Sequence, residues 1–119
     1  MELLEKDRFY HIYNRGINGT NIFSNNENKG FFLKRFNEHL KNHISVYAYC
    51  LMDNHFHLII KVNDNAEIVT QSFSNLFNSY AKAFNKQENR TGSLFEKHFK
   101  RIKLSDEIYL KNLILYVHL

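Results

Sequence analysis

Apolar and polar positions along the chain change their period several times, and each change marks the edge of an element. Residues 8–15, RFYHIYNR, alternate between two faces and are rich in aromatics, which predicts a first strand running into Gly16 and the polar loop NGTNIFSNN. From Asn28 to Ile44, Phe32, Phe36, Leu40 and Ile44 recur every four residues with Lys and Glu opposite, as an amphipathic helix requires. SVYAYCLM reads as a second strand, and Asp53-Asn54 as a two-residue hairpin turn, since both residues tolerate positive φ. The third strand is HFHLIIKV. Its alternation predicts a core face of Phe56, Leu58, Ile60 and Val62, and an opposite face of His55, His57, Ile59 and Lys61. Val69, Phe73, Leu76, Phe77, Tyr80 and Phe84 then keep helical spacing until about Asn85. RTGS is a loop and LFEKHFKRIKL a fourth strand. Ser105 is a good N-cap for a last helix with Asp106 and Glu107 in its first turn, running to the chain end.

The order β-α-β-β-α-β-α, with a hairpin between the second and third strands, is an α+β plan. It predicts a ferredoxin-like four-stranded antiparallel sheet with two helices on one face and an additional C-terminal helix. That last helix is too apolar to stand free, so it is expected on the other face, where His55 and His57 point. No repeat or linker divides the 119 residues, and one domain over residues 1–119 is expected.

Composition narrows the function classes. The longest apolar run falls well short of a membrane span and Met1 to Asp7 is unlike a signal or transit peptide, so a cytoplasmic protein is expected. The single Cys50 has no disulfide or CxxC partner and reads as a small core residue. Sixteen Lys and Arg against twelve Asp and Glu leave a formal charge of +4. The excess is concentrated: Lys82, Lys86 and Arg90 lead up to Lys97, His98, Lys100, Arg101 and Lys103. Such a cluster is either a solvated basic face or a phosphate-binding surface.

Candidate chemistry begins at MDNHFHLII. Two imidazoles at i and i+2 on a strand point the same way, near enough to hold one cation if a third ligand comes from elsewhere; the plainer reading is two partly exposed side chains. Among the seven tyrosines, Tyr80 sits in the apolar stripe of the second helix and reads as core. Tyr10, Tyr13, Tyr47 and Tyr49 are strand aromatics suited to packing or base stacking. Tyr109 and Tyr116 lie seven residues apart on one face of the last helix.

NHFHLII fits the HUH motif, two histidines flanking a bulky hydrophobic residue, of enzymes that nick and rejoin single-stranded DNA through a tyrosine. YHIYNRGINGTNIF resembles the opening of the single-tyrosine HUH transposases, specifically the REP-associated tyrosine transposases. SYAKAFNK, RTGSLFEKHFKR and YLKNLILYVHL resemble their following helix, loop with basic strand, and catalytic helix. The resemblance implies a metal-dependent transposase that acts on single-stranded DNA hairpins, is nucleoid-associated, and works through a 5′-phosphotyrosine intermediate. His55 and His57 would bind Mg2+ or Mn2+, and motif position selects Tyr116 as the catalytic nucleophile. Asn14, Arg15, Arg90, Lys97, Lys100, Arg101 and Lys103 would contact DNA, with Phe99 or Tyr13 open to base stacking. The family's asparagine, expected to complete the metal site one helical turn after the tyrosine, would follow Leu119, so the domain is expected to be truncated there. Asp53 also stands where the family usually has proline. Relatives include homodimers that exchange catalytic helices and forms that act alone. The alternative is a non-catalytic module, either a transposase domesticated for hairpin binding or a sheet that reads nucleic acid as RNA-recognition domains do. The chain lacks the GxGFGFVxF-like strand of the latter.

Overall fold

The computed structural model describes residues 3–105; the expected C-terminal helix, with Tyr109 and Tyr116, lies outside the described residues. The elements are β1 (Phe9–Arg15), α1 (Asn26–Leu40), β2 (Ile44–Met52), β3 (His55–Val62), α2 (Ala66–Gln87) and β4 (Lys100–Leu104), with a short 3-10 turn at Ile17–Gly19. The sheet order is β2-β3-β1-β4, and each neighbouring pair is antiparallel. This is the ferredoxin-like arrangement that the periodicity predicts.

Alternation along the strands explains where the core lies. Tyr10 and Ile12 of β1 and Phe56, Leu58, Ile60 and Val62 of β3 are buried in one cluster with the apolar stripes of both helices, including Phe32, Phe36, Phe73 and Tyr80. Phe56 is 0% exposed and meets the rings of Phe32 and Phe77 at 5.6 and 5.5 Å between centroids. Tyr80 is a core residue whose hydroxyl donates to the Ile22 carbonyl at 2.5 Å, and burial pushes its phenol well above the usual range. On the opposite face a smaller cluster of Ala48, Ile59 and Leu104 is joined by Phe9 and the half-buried Cys50.

Four boundaries differ from expectation. Helix α1 starts at Asn26, where the Asn25 side chain accepts from the Asn28 amide, and ends at Leu40; Ile44 opens β2 instead. A four-residue spacing that crosses a helix end is indistinguishable in sequence from one that does not. Helix α2 continues to Gln87. Neither Asp53 nor Asn54 takes positive φ. Their turn is held from outside: the Asp53 carbonyl accepts from the Ile22 and Phe23 amides at 2.7 and 3.0 Å, and the Asn54 carbonyl from Gly16 at 2.9 Å. Gly16 is required there, because a Cβ would sit 1.9 Å from the Thr20 carbonyl oxygen. Finally, β4 begins at Lys100, not Leu94. Residues 94–99 form a loop with one bridge, Gly16 to Phe95, and with His98 at φ 63°, while Leu94 and Phe99 turn into the core. Among the described residues no helix is long and apolar enough to cross a membrane.

Truncating the Phe56 ring removes the pin between sheet and helices. Phe56→Ala is expected to cost about 3–5 kcal/mol of unfolding free energy, read from urea denaturation, against a much smaller cost for Lys61→Ala on the same strand.

Candidate metal and nucleic-acid site

Burial of Phe56 leaves its neighbours no choice of side. His55 and His57 project from the sheet face opposite the helices, and the antiparallel register sets Arg15 beside His55, Tyr13 beside His57 and His11 beside Ile59. Across β1, Lys100 of β4 pairs with Tyr13. Tyr13, Asn14, Arg15, Asn54, His55, His57, Glu96 and Lys100 line an open concavity of about 450 Å³.

The two histidines present the same nitrogen. His55 Nδ1 lies 2.7 Å from the Asn54 side-chain oxygen, an acceptor only, so the proton is on Nδ1 and Nε2 keeps its lone pair. His57 Nδ1 lies 2.9 Å from Nε2 of His11, and the two rings meet edge to edge with centroids 5.1 Å apart and planes 25° apart. Neither His55 Nε2 nor His57 Nε2 makes a hydrogen bond among the described residues. Burial, and secondarily the neighbouring His55, lowers the His57 pKa; burial and then His57 bring that of His11 down to about 4. Both are therefore neutral at pH 7, the state a cation requires of an imidazole ligand. His55 and His57, on one face with ring centroids 5.2 Å apart, can fill two positions of a divalent site. Among the described residues no group of three His, Cys, Asp or Glu side chains could hold a metal ion.

The basic residues are distributed unevenly around this pair. Arg15 Nε donates to Glu96 Oε2 at 2.6 Å and Lys100 Nζ to Glu96 Oε1 at 3.2 Å, and these two cations, Arg15 first, hold the Glu96 carboxyl below its usual range. Asn14 points to the helix side and is buried; its Nδ2 donates to the Glu96 carbonyl at 3.0 Å. Arg90 closes the loop after α2, donating to Asn85 Oδ1 at 2.5 Å and to the Ser93 carbonyl at 3.4 Å. Lys97 is exposed. Arg101 and Lys103 fall on the face away from the histidines, Arg101 stacked over Phe99 at 4.1 Å and Lys103 paired with Glu5 at 2.9 Å. Phe99 packs on Phe73 and Phe77 and is buried, so the expected base stacking there gives way to a core role. Tyr13 keeps a ring in the concavity, 5.7 Å from that of His57.

Two site residues escaped the sequence reading. His11 was legible in principle: with Tyr10 and Ile12 facing the core, the alternation of RFYHIYNR puts His11, Tyr13 and Arg15 on the histidine side. Glu96 had no such signal, because an irregular loop carries it there.

With this geometry in view, the comparisons are decisive for the family. The sequence model of the family "Transposase IS200 like" matches residues 6–119, and the chain belongs to that family. None of the curated proteins compared with the chain matches it. Among solved structures it is similar to a REP-associated tyrosine transposase bound to a REP hairpin, with a TM-score of 0.72 at 10% identity over 99% of this chain and 68% of that one. It is also similar to a protein of Deinococcus radiodurans assigned as a transposase, with a TM-score of 0.60 at 13% identity over 92% of this chain and 88% of the other. At these identities the structural matches show the fold.

The lowered pKa values set a pH dependence. An unfolded histidine takes up a proton near pH 6.5, before native His11 does, so the unfolded state binds more protons between about pH 6.5 and 4 and stability falls as pH is lowered through that window. Urea midpoints should drop across it, and His11→Gln should flatten the drop relative to the parent. An identical pH profile in the two proteins would contradict a buried, neutral His11.

Proposed function

We propose that this chain is a DNA strand transferase of the REP-associated tyrosine type, which nicks and rejoins single-stranded hairpin DNA. The observation that carries the reading is the pair of imidazoles, His55 and His57, side by side on the open sheet face of an IS200-like family member, with no hydrogen bond to either Nε2 among the described residues and with Arg15 and Lys100 alongside.

In this reading His55 and His57 hold Mg2+ or Mn2+; when bound, the cation supplies charge neutralisation at a non-bridging phosphate oxygen. Two imidazoles favour manganese over magnesium on ligand softness. Tyr116 is the nucleophile. Its phenol, with an ordinary pKa of about 10, loses its proton as the oxygen attacks phosphorus. The P–O bond to the upstream sugar breaks, leaving a 5′-phosphotyrosine link and a free 3′-hydroxyl. Attack by a 3′-hydroxyl on that link reverses the exchange, so rejoining needs no nucleotide hydrolysis. Arg15 and Lys100 release Glu96 and take phosphate oxygens, and Tyr13 offers a ring to an unstacked base.

The test uses end-labelled single-stranded hairpin DNA with Mn2+ and the protein. A covalent DNA adduct is expected on a denaturing gel, lost in both Tyr116→Phe and His57→Ala. Hairpin binding without any adduct would replace the transferase with a binding module. An adduct that survives Tyr116→Phe would assign the nucleophile elsewhere.

A further inference from the structure

His11 has no part in the chemistry just described, yet it is a buried polar group in hydrogen-bond contact with His57. It sits on β1 two residue pairs along from the Tyr13–His57 pair, is 8% exposed, and its ring lies beside those of Tyr13 and His57, with centroids 4.9 and 5.1 Å away. Its Nε2 lies 2.9 Å from His57 Nδ1. Two neutral imidazoles in contact through one nitrogen each share a single proton along that line. If His11 held it, His57 would carry its own proton on Nε2 and offer the concavity a donor. If His57 holds it, the His57 Nε2 lone pair faces the concavity. The second state gives His57 the arrangement that Asn54 gives His55, where an acceptor fixes the proton on Nδ1.

We infer that His11 is a positioning residue: its Nε2 accepts the Nδ1 proton of His57, fixing the tautomer and ring orientation in which His57 Nε2 can meet a divalent cation. The inference rests on the metal reading above and assigns its missing support. Residues that take the second ring nitrogen of a ligating histidine commonly contribute about 10–100-fold in metal affinity. His11 and Asn54 are then equivalent devices, one reaching across from β1 and one from the hairpin turn, that turn two adjacent histidines the same way.

Two measurements test this on the protein as it exists. Long-range 1H–15N correlation spectra of the metal-free protein at pH 7.5 should show His57 as the Nδ1–H tautomer. In His11→Phe, which keeps an aromatic ring but no acceptor, His57 should shift toward Nε2–H, and Mn2+ affinity read by electron paramagnetic resonance titration should fall about 10–100-fold. His11→Gln places a carbonyl within reach of Nδ1 and should recover most of that loss, which a purely space-filling role would not allow. His57 found as Nε2–H in the parent protein, or Mn2+ affinity unchanged in a folded His11→Phe, overturns the role of His11. Should His57→Ala bind Mn2+ as well as the parent, the metal site itself is misplaced; because the tautomer is read without metal, that failure is separable from the first.

Discussion

The burial of Phe56 is the constraint on which the rest depends. A strand has two sides, and a ring that is fully enclosed between the sheet and two helices fixes which side each neighbour occupies. A slip of one residue would send both histidines into the apolar core, where neither Nε2 would find a partner. The cost of that arrangement, several kcal/mol of lost burial and unsatisfied polar groups, makes the outward presentation of the pair a property of the fold and not of local preference. Pairing with β1 then adds His11, Tyr13 and Arg15 to the same surface without any further device.

Electrostatics on this surface balance two demands. Partial burial lowers the pKa values of His57 and His11, while the adjoining cations are kept close by Glu96, which bridges Arg15 and Lys100 from the loop before β4. Exposed ion pairs of this kind contribute little to stability, so the carboxylate could give way at small cost to the phosphate that the proposed function requires. Glu96 thus keeps the two cations oriented and limits their attraction for other anions. The segment that carries it is itself anchored to β1, through the Asn14 side chain and the backbone bond from the Glu96 amide to the Arg15 carbonyl.

Much of this was legible in the sequence, for reasons that differ by element. The strands around Phe56 and Ile12 and the helix carrying Phe73, Phe77 and Tyr80 announce themselves because a single buried face imposes a period. Tyr80 was recognisable as core for the same reason. The end of α1 was misplaced because Ile44 continues the helical spacing by chance while its backbone already belongs to β2. The Asp53-Asn54 turn was assigned φ values it does not adopt, since bonds from Gly16, Ile22 and Phe23 decide its shape and no local rule counts them. Residues 94–99, LFEKHF, run directly into the basic strand and read as part of it, yet Leu94 and Phe99 reach the core from a loop. Arg101 and Lys103 looked equivalent to Lys100 as charges along a segment; only pairing with β1 separates their faces. Glu96 could not be foreseen at all, being placed by tertiary contacts with Asn14, Arg15 and Lys100.

The claim that matters most is that two histidine nitrogens on this face share one cation. Crystals of the protein soaked in Mn2+ and measured at the manganese absorption edge test it directly. The account predicts a single strong anomalous peak bonded to Nε2 of both His55 and His57. A peak on Nδ1 of either ring, or manganese bound only elsewhere on the protein while both Nε2 atoms remain bare, would contradict it.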